Sequence, residues 1–82
     1  MFYSYILRSE KDHKYYYGSA KDIHKRLEMH NKGKVRSTKS RRPFKLHFYE
    51  IFETKSEAMK REYFYKSISG YNWLRENNII EK

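Results

Sequence analysis

Two strand-like runs stand close together at the start of the chain and constrain its fold more than any other feature. Residues 2–8 and 15–19 are rich in aromatic and β-branched side chains, and a polar stretch at residues 9–14 separates them. Two such runs joined by a short polar segment are typical of a β-hairpin. Residues 2–8 are nearly apolar throughout, which predicts a strand that other elements cover on both faces.

The middle of the chain predicts one helix and a third strand. Asp22 has the side chain of an N-cap, and Gly33 follows the predicted helix as a stop. Between them, the residues that recur at helical spacing are Ile23, Leu27, His30 and Asn31. Residues 45–52 carry strand-forming side chains after Pro43. The first helix places Arg26 and His30 one turn apart on one side, because residues four apart are neighbours on a helix surface.

The last third of the chain predicts two helices. Thr54 and Glu57 have the spacing of a capping box, in which each side chain bonds the backbone of the other residue. A second helix should run from there to about Ser67 and end before Gly70. Residues 71–77 predict a short third helix, which carries Trp73 and Leu74.

The order of these elements, β-β-α-β-α-α, predicts an α+β domain with a small three-stranded mixed or antiparallel sheet flanked by helices. A chain of 82 residues should form one domain, over residues 1–82, with a modest core. Nine tyrosines, five phenylalanines and one tryptophan supply large side chains for that core. Residues that build the core could therefore also serve function.

The charge of the chain favours a polyanionic partner. Nineteen Lys and Arg against ten Asp and Glu give a formal net charge of +9, which attracts polyanions at long range. Nucleic acid is the leading partner. A basic balance that only keeps the protein soluble, or an anionic membrane surface, are the alternatives. No basic amphipathic helix with an apolar aromatic face is evident, so no membrane partner is predicted.

The absence of cysteine excludes disulfides, zinc-thiolate sites and a thiol nucleophile. No apolar run approaches the length of a signal sequence or of a membrane-spanning helix. The predicted location is therefore the cytoplasm. The oligomeric state is left open.

Tyr5 and Tyr16 are candidate catalytic residues on the two strands of the hairpin, close enough to face one site. Tyrosine has a reference pKa near 10 and is a poor base unless a cation or metal favours its ionised form, or unless it relays a proton from water. The alternative is structural, because alternating tyrosines in a small sheet commonly form core or cross-strand pairs.

Arg26 and His30 are candidate partners of these tyrosines. An arginine can bind two nonbridging phosphate oxygens while charge builds in the transition state. A histidine can donate or accept a proton, or orient a tyrosine by a hydrogen bond. A solvated arginine and a partly buried histidine at a helix end are the structural alternatives.

Glu62 is the candidate metal ligand. It leans toward apolar neighbours on the second predicted helix, and a carboxylate in such surroundings requires a counter-charge. Mg²⁺ (or Mn²⁺), held by one carboxylate together with waters and substrate phosphate, would supply one. An ordinary ion pair with Lys66, four residues on, is the competing interpretation.

The segment between the first helix and the third strand is strongly basic and contains no acidic residue. Serine and threonine hydroxyls lie between its basic side chains, and such segments contact backbone phosphates without reading sequence. A solvated, disordered loop is the alternative. The predicted phosphate-binding residues are Lys32, Lys34, Arg36, Lys39, Arg41 and Arg42.

Taken in order, these motifs resemble the short stand-alone GIY-YIG proteins of bacteria, relatives of the nuclease domain of the excision-repair machinery. The two tripeptides of the family stand here as Tyr3-Ser4-Tyr5 and Tyr16-Tyr17-Gly18. The motif residues that follow in family order are Arg26, His30-Asn31, Gly33, Thr38, Arg42-Pro43, Glu57-Ala58, Arg61-Glu62 and Lys66.

The resemblance implies a metal-dependent endonuclease that hydrolyses phosphodiester bonds in nucleic acid, DNA more than RNA. Glu62 would hold one Mg²⁺ (or Mn²⁺), Tyr5 or Tyr16 would serve as general base or relay, and Arg26 would stabilise phosphoryl charge. Gly18 would be required as backbone close to the site. Asn72 is a candidate for the asparagine that larger relatives place after the glutamate. A non-cleaving nucleic-acid-binding module, or a partner protein of the same fold within a larger complex, is the alternative function.

Overall fold

The computed structural model describes residues 1–81 and contains one antiparallel sheet of three strands. The strands are β1 (Phe2–Ser9), β2 (Tyr15–Ala20) and β3 (Phe44–Phe52), and β1 lies in the centre of the order β2-β1-β3. Both neighbours of β1 run antiparallel to it. The predicted hairpin and the predicted α+β class are confirmed, and the sheet contains no parallel pair within the described residues.

Three α-helices pack around this sheet: α1 (Ile23–Asn31), α2 (Lys55–Tyr65) and α3 (Ile68–Glu76). Helix α1 begins after Asp22, whose side chain accepts a hydrogen bond from the Lys25 amide. Helix α2 begins at the predicted capping box. Side-chain acceptors at these ends bind amide groups that have no partner within the helix.

Helix α3 starts three residues earlier than the sequence predicts, because Ser67 acts as its N-cap and accepts a hydrogen bond from the Gly70 amide. Gly70 therefore lies inside α3 and does not follow α2 as a stop. A Cβ built on Gly70 would lie 1.6 Å from the Phe64 carbonyl oxygen. The glycine is thus needed for the close approach of α3 to the end of α2.

Each face of the sheet carries its own apolar core. Tyr5, Leu7, Ile23 and Phe44 form the core beneath α1. On the other face, the residues packed beneath α2 and α3 include Ile6, Tyr65, Leu74 and Ile80. The central strand β1 contributes to both cores through alternate residues, as the sequence predicts for a strand covered on both faces.

A β-bulge in β3 reverses which of its side chains point to each face of the sheet. Phe48 pairs with Ile6 and Leu46 pairs with Leu7, which leaves His47 without a partner in β1. Leu46 consequently packs beneath α1, whereas Phe48 packs on the opposite face with α2 and α3. An extra residue in one strand has this effect because side chains alternate between faces with a period of two.

The basic segment between α1 and β3 is tied to the rest of the fold. It contains a short 3₁₀ turn at Lys39–Arg41, and Ser9 Oγ donates to the Arg41 carbonyl oxygen at 2.6 Å. The Asn31 side chain bonds both the amide and the carbonyl of Phe44, at 2.7 and 3.0 Å. No helix among residues 1–81 has the length and apolar character needed to cross a bilayer.

Candidate active site

The Tyr5 phenol lies over Gly18, its partner across the β1–β2 ladder. A Cβ built on Gly18 would come within 2.4 Å of both Cζ and the hydroxyl oxygen of Tyr5. Any side chain at residue 18 would therefore displace the phenol. Tyr5 itself is only 1% exposed.

His30 joins the Tyr5 phenol to the basic segment. Its Nε2 atom lies 3.4 Å from the Tyr5 hydroxyl, and its Nδ1 atom lies 2.8 Å from Oγ1 of Thr38. Thr38 Oγ1 donates its proton to the Val35 carbonyl oxygen, so it accepts from Nδ1–H of His30. Nε2 is then the unprotonated nitrogen and accepts from the Tyr5 hydroxyl, because a neutral imidazole has one donor and one acceptor.

The charge states of Tyr5 and His30 follow from their burial. Burial raises the pKa of Tyr5, and the Arg26 guanidinium offsets part of that rise. Burial, followed by repulsion from the Arg26 charge, lowers the pKa of His30 to about 4. At neutral pH the pair is therefore an uncharged phenol bonded to an uncharged imidazole.

Tyr16 is the more accessible of the two candidate tyrosines. It is half-buried, and its ring meets the His30 ring edge-on with centroids 4.9 Å apart. Tyr16 and Tyr5 both belong to the layer beneath α1. The structure thus brings Tyr5, Tyr16 and His30 together, with the Arg26 charge acting on Tyr5 and His30, and their catalytic roles stay a prediction.

Glu62 lies on α2, on the other side of the sheet from α1, yet its charge contributes to the raised pKa of Tyr5. Its side chain is 16% exposed and its Oε2 atom lies 2.7 Å from Nζ of Lys66. The ion pair expected under the competing interpretation is thus present. Exposed pairs of this i,i+4 type contribute only about 0.3–0.5 kcal/mol, so the presence of the pair does not decide between the two interpretations.

The donor set suits a cation that is shared with a substrate. Among residues 1–81 no three His, Cys, Asp or Glu side chains cluster closely enough to enclose a metal ion. Mg²⁺ usually keeps several waters and binds through one or two carboxylates plus substrate phosphates. Glu62 fits the second arrangement and not a cage made by the protein alone.

The two arginines nearest β3, among the six basic residues predicted to bind phosphate, are bonded to other groups of the protein. Arg41 donates to Asp12 at 3.0 Å and to the Tyr15 carbonyl oxygen at 3.3 Å. Arg42 donates to the Lys39 carbonyl oxygen at 2.9 Å. These two arginines hold the segment in place before any substrate binds.

The other four basic residues are exposed. Lys32 is paired with Glu28 at 2.5 Å. Lys34, Arg36 and Lys39 enter no ion pair within the described chain. These three cations form the part of the segment that is most available to a phosphate backbone.

Asn72 does not belong to the cluster formed by Tyr5, Tyr16, Arg26 and His30. It is exposed on α3, and within residues 1–81 no hydrogen bond connects its side chain to the tyrosines, Arg26, His30 or Glu62. Among residues 1–81, the side-chain bond that Lys66 makes is its ion pair with Glu62.

A second polar cluster, on the face beneath α2, was not predicted. Arg61 Nε donates to Oε1 of Glu50 at 2.8 Å, and the Tyr65 hydroxyl donates to the same carboxylate. The Ser4 hydroxyl lies 2.7 Å from the Tyr65 hydroxyl. Burial, and then the hydrogen bond to Glu50, raises the pKa of Tyr65. Because both carboxylate oxygens of Glu50 are engaged, this cluster is structural.

Thr38 is a functional candidate whose role the sequence did not reveal. It is fully buried and fixes the tautomer of His30, although it lies in a polar, basic stretch that favours a solvated loop. The one signal in the sequence was its place in the family order of motifs, which gives no contact.

Together, these features define a small α+β domain that presents two tyrosines, an arginine and a histidine beside a basic segment. The chain belongs to the GIY-YIG family: the family described as "GIY-YIG catalytic domain" matches residues 1–78. This family comprises nuclease domains, which act on nucleic acid, so membership supports a nuclease-like function.

Similar proteins are short bacterial chains. A UPF0213 protein of Bacillus licheniformis is 46% identical over 81 residues, which cover 98% of this chain and 80% of the relative. A UPF0213 protein of Staphylococcus saprophyticus is 52% identical over 74 residues, with 89% of each chain covered. The solution NMR structure of the UPF0213 protein BH0048 from Bacillus halodurans matches with a TM-score of 0.54 and 34% identity, covering 94% of this chain and 85% of that one. The predicted family and fold are confirmed.

Proposed function

We propose that the protein is a metal-dependent endonuclease that hydrolyses phosphodiester bonds in DNA, in the cytoplasm. The observation that supports this proposal is that Tyr5, Tyr16, Arg26 and His30 lie together, where the Glu62 charge also contributes to the raised pKa of Tyr5. A protein that only binds nucleic acid requires cations but has no use for this combination of side chains.

Tyr16 is assigned the role of general base. It is half-buried, so a water molecule can reach its hydroxyl, whereas Tyr5 is enclosed. The raised pKa of Tyr5 disfavours its phenolate and makes it a poor acceptor of the proton from water. Tyr5 is therefore assigned a positioning role, in which it connects Arg26 to His30.

Arg26 is assigned to the phosphoryl oxygens. Its guanidinium stays charged at any working pH and presents a planar fork of donors that matches two nonbridging oxygens. Negative charge that develops on the phosphoryl group would be stabilised there in partly dehydrated surroundings. When bound at Glu62, Mg²⁺ or Mn²⁺ would supply charge neutralisation at the phosphate and lower the pKa of water.

The central experiment is a cleavage assay with single-stranded, duplex and branched DNA in the presence of Mg²⁺, Mn²⁺ or EDTA. Glu62→Gln should abolish cleavage while thermal stability and DNA binding in EDTA stay close to wild type. Glu76→Gln makes the same chemical change at an exposed position of α3 and serves as the matched control. Cleavage by Glu62→Gln at the wild-type rate would show that the metal role is wrong.

The ion pair between Glu62 and Lys66 favours a second candidate, a non-cleaving module of the same fold, because the carboxylate already has a counter-charge. This candidate predicts metal-independent DNA binding and no product with any of the three substrates. The same assay therefore separates the two functions.

A further inference from the structure

An open groove lies beside the N-terminal end of α1, on the same face of the sheet as the tyrosine cluster. It has a volume of about 610 Å³, and its apolar lining includes Tyr3, Tyr49 and Ile51. Tyr49 and Ile51 are 48% and 51% exposed, which is unusual for large apolar residues of a strand.

The groove exists because of the bulge in β3. Beyond His47, the residues of β3 that face α1 are Tyr49 and Ile51, which pair with Tyr5 and Tyr3 of the central strand. Glu50, which lies between them, turns to the opposite face, where it bonds Arg61. The bulge thus places an aromatic and an aliphatic side chain on the α1 side of the sheet, where both remain about half exposed.

Cations line the helix side of the groove. Lys21 and Lys25 are exposed, border it and enter no ion pair among residues 1–81. Asp22, the acidic residue of the lining, is engaged as the N-cap of α1. A second copy of this chain, which also carries a net charge of +9, would be repelled from such a surface, whereas a polyanion would be attracted.

We propose that this groove binds an unpaired nucleotide of the substrate strand, with the base stacked on Tyr49 and the adjoining phosphates on Lys21 and Lys25. The proposal rests on the proposed function, because it narrows the substrate of the proposed nuclease to nucleic acid that contains a single-stranded segment. Tyr3 meets Tyr49 in a T-shaped contact, with ring centroids 5.9 Å apart, and holds its ring in place. Aromatic rings beside cations are the usual platform for single-stranded nucleic acid, because every base has a face that can stack.

The test measures binding in EDTA, so that its result does not depend on cleavage. The probe is single-stranded DNA that contains the fluorescent base aminopurine, and a fully paired duplex of the same sequence is the comparison. Tyr49→Ser should weaken single-strand binding by about tenfold and abolish the quenching of aminopurine, while duplex binding changes little. Tyr49→Phe keeps the ring and should retain both affinity and quenching.

Tyr63→Ser is the matched control, because Tyr63 is 58% exposed on α2 and lies away from the groove. Its single-strand affinity should equal that of the wild type. Equal affinities for Tyr49→Ser and the wild type would overturn the proposal, and so would equal losses in Tyr49→Ser and Tyr63→Ser.

Sedimentation of the wild type and Tyr49→Ser tests whether a second copy of this chain occupies the groove instead of a nucleotide. A wild-type dimer that Tyr49→Ser converts to monomer would show that a second copy covers the groove, and the proposal would be wrong. The proposed nuclease function fails separately: lack of cleavage with intact Tyr49-dependent binding refutes the enzyme alone, whereas cleavage with Tyr49-independent binding refutes the groove alone.

Discussion

Thr38 Oγ1 and His30 Nδ1 lie 2.8 Å apart, and both residues are fully buried. Through this bond the basic segment controls which nitrogen of His30 faces the Tyr5 phenol. We expect Thr38→Val to leave Nδ1–H without an acceptor, at a cost of about 1–3 kcal/mol in the free energy of unfolding, and to lower kcat.

Thr38→Ser is the matched control, because it keeps the hydroxyl and should preserve stability, kcat and tautomer. The imidazole nitrogen chemical shifts of His30 report the tautomer directly. A Thr38→Val variant with wild-type nitrogen shifts and kcat would contradict the positioning role.

The stability of the protein should depend on pH through His30. Its pKa is lowered from 6.5 to about 4 in the folded state, so between these values the unfolded chain binds a proton that the folded chain does not. Stability is therefore full above pH 6.5 and falls as the pH drops toward 4, by on the order of 3 kcal/mol for this residue. Denaturant unfolding of the wild type and of His30→Gln across this window measures the difference, and parallel curves for the two proteins would refute the assignment.

Gly18→Ala should disturb the site through Tyr5. The added Cβ would overlap the phenol, and forcing extra atoms into a packed region commonly costs about 1–3 kcal/mol. We expect a lower Tm and a reduced kcat. Ser19→Ala, at the next residue of β2, adds no atoms and should leave both unchanged. A Gly18→Ala variant with wild-type Tm and kcat would mean that the phenol can move at no cost.

Tyr16→Phe separates the two candidate tyrosines. Removing a general base commonly lowers the rate by about 10²–10⁴-fold, and we expect a loss in kcat of this size with DNA affinity unchanged. Tyr17→Phe is the control, since Tyr17 lies on the same strand and packs against Tyr65 on the opposite face. A smaller loss for Tyr16→Phe than for Tyr5→Phe would exchange the two roles.

The exposed cations of the basic segment should act on binding and not on chemistry. Replacing Lys34, Arg36 and Lys39 with alanine should flatten the slope of log affinity against log salt by up to about 2.7, because each phosphate contact contributes about 0.9. Saturating substrate should restore much of the rate.

A control with the same change in net charge replaces Lys14, Lys55 and Lys60, which are exposed elsewhere on the surface. It should change the slope much less. Equal slopes for the two triple variants would indicate that only net charge matters. Arg41 is a poor choice for such a test, because its bonds to Asp12 and the Tyr15 carbonyl make it structural.

Local signals explain what the sequence predicts well. The hairpin, the Asp22 cap and the capping box at Thr54 each depend on residues a few positions apart, and all are present. The pairing of Arg26 with His30 likewise follows from helical spacing. Position along a helix or strand thus determined most of the candidate site.

Contacts between distant segments could not be read in this way. The start of α3 was missed because Gly70 looks like a helix stop, whereas its lack of a side chain serves packing against Phe64. The bond between Thr38 and His30 depends on how the basic segment folds back over α1. The bulge was not predicted because residues 45–52 have the composition of one continuous strand, although tertiary packing divides their side chains between two layers.

That bulge bears on how the length of β3 can vary. His47 is the residue that the pairing with β1 omits, and its side chain reaches the Ile79 carbonyl oxygen near the C-terminus. Deleting His47 would leave Leu46 and Phe48 adjacent and still on opposite faces, so both cores would keep their residues. The hydrogen bond to the Ile79 carbonyl oxygen would be lost. Deleting a residue between Phe48 and Phe52 would instead exchange the faces of all residues beyond the deletion. A chain of this fold can therefore lose a residue at the bulge, whereas the loss of one residue between Phe48 and Phe52 would move the side chains beyond it to the opposite face of the sheet.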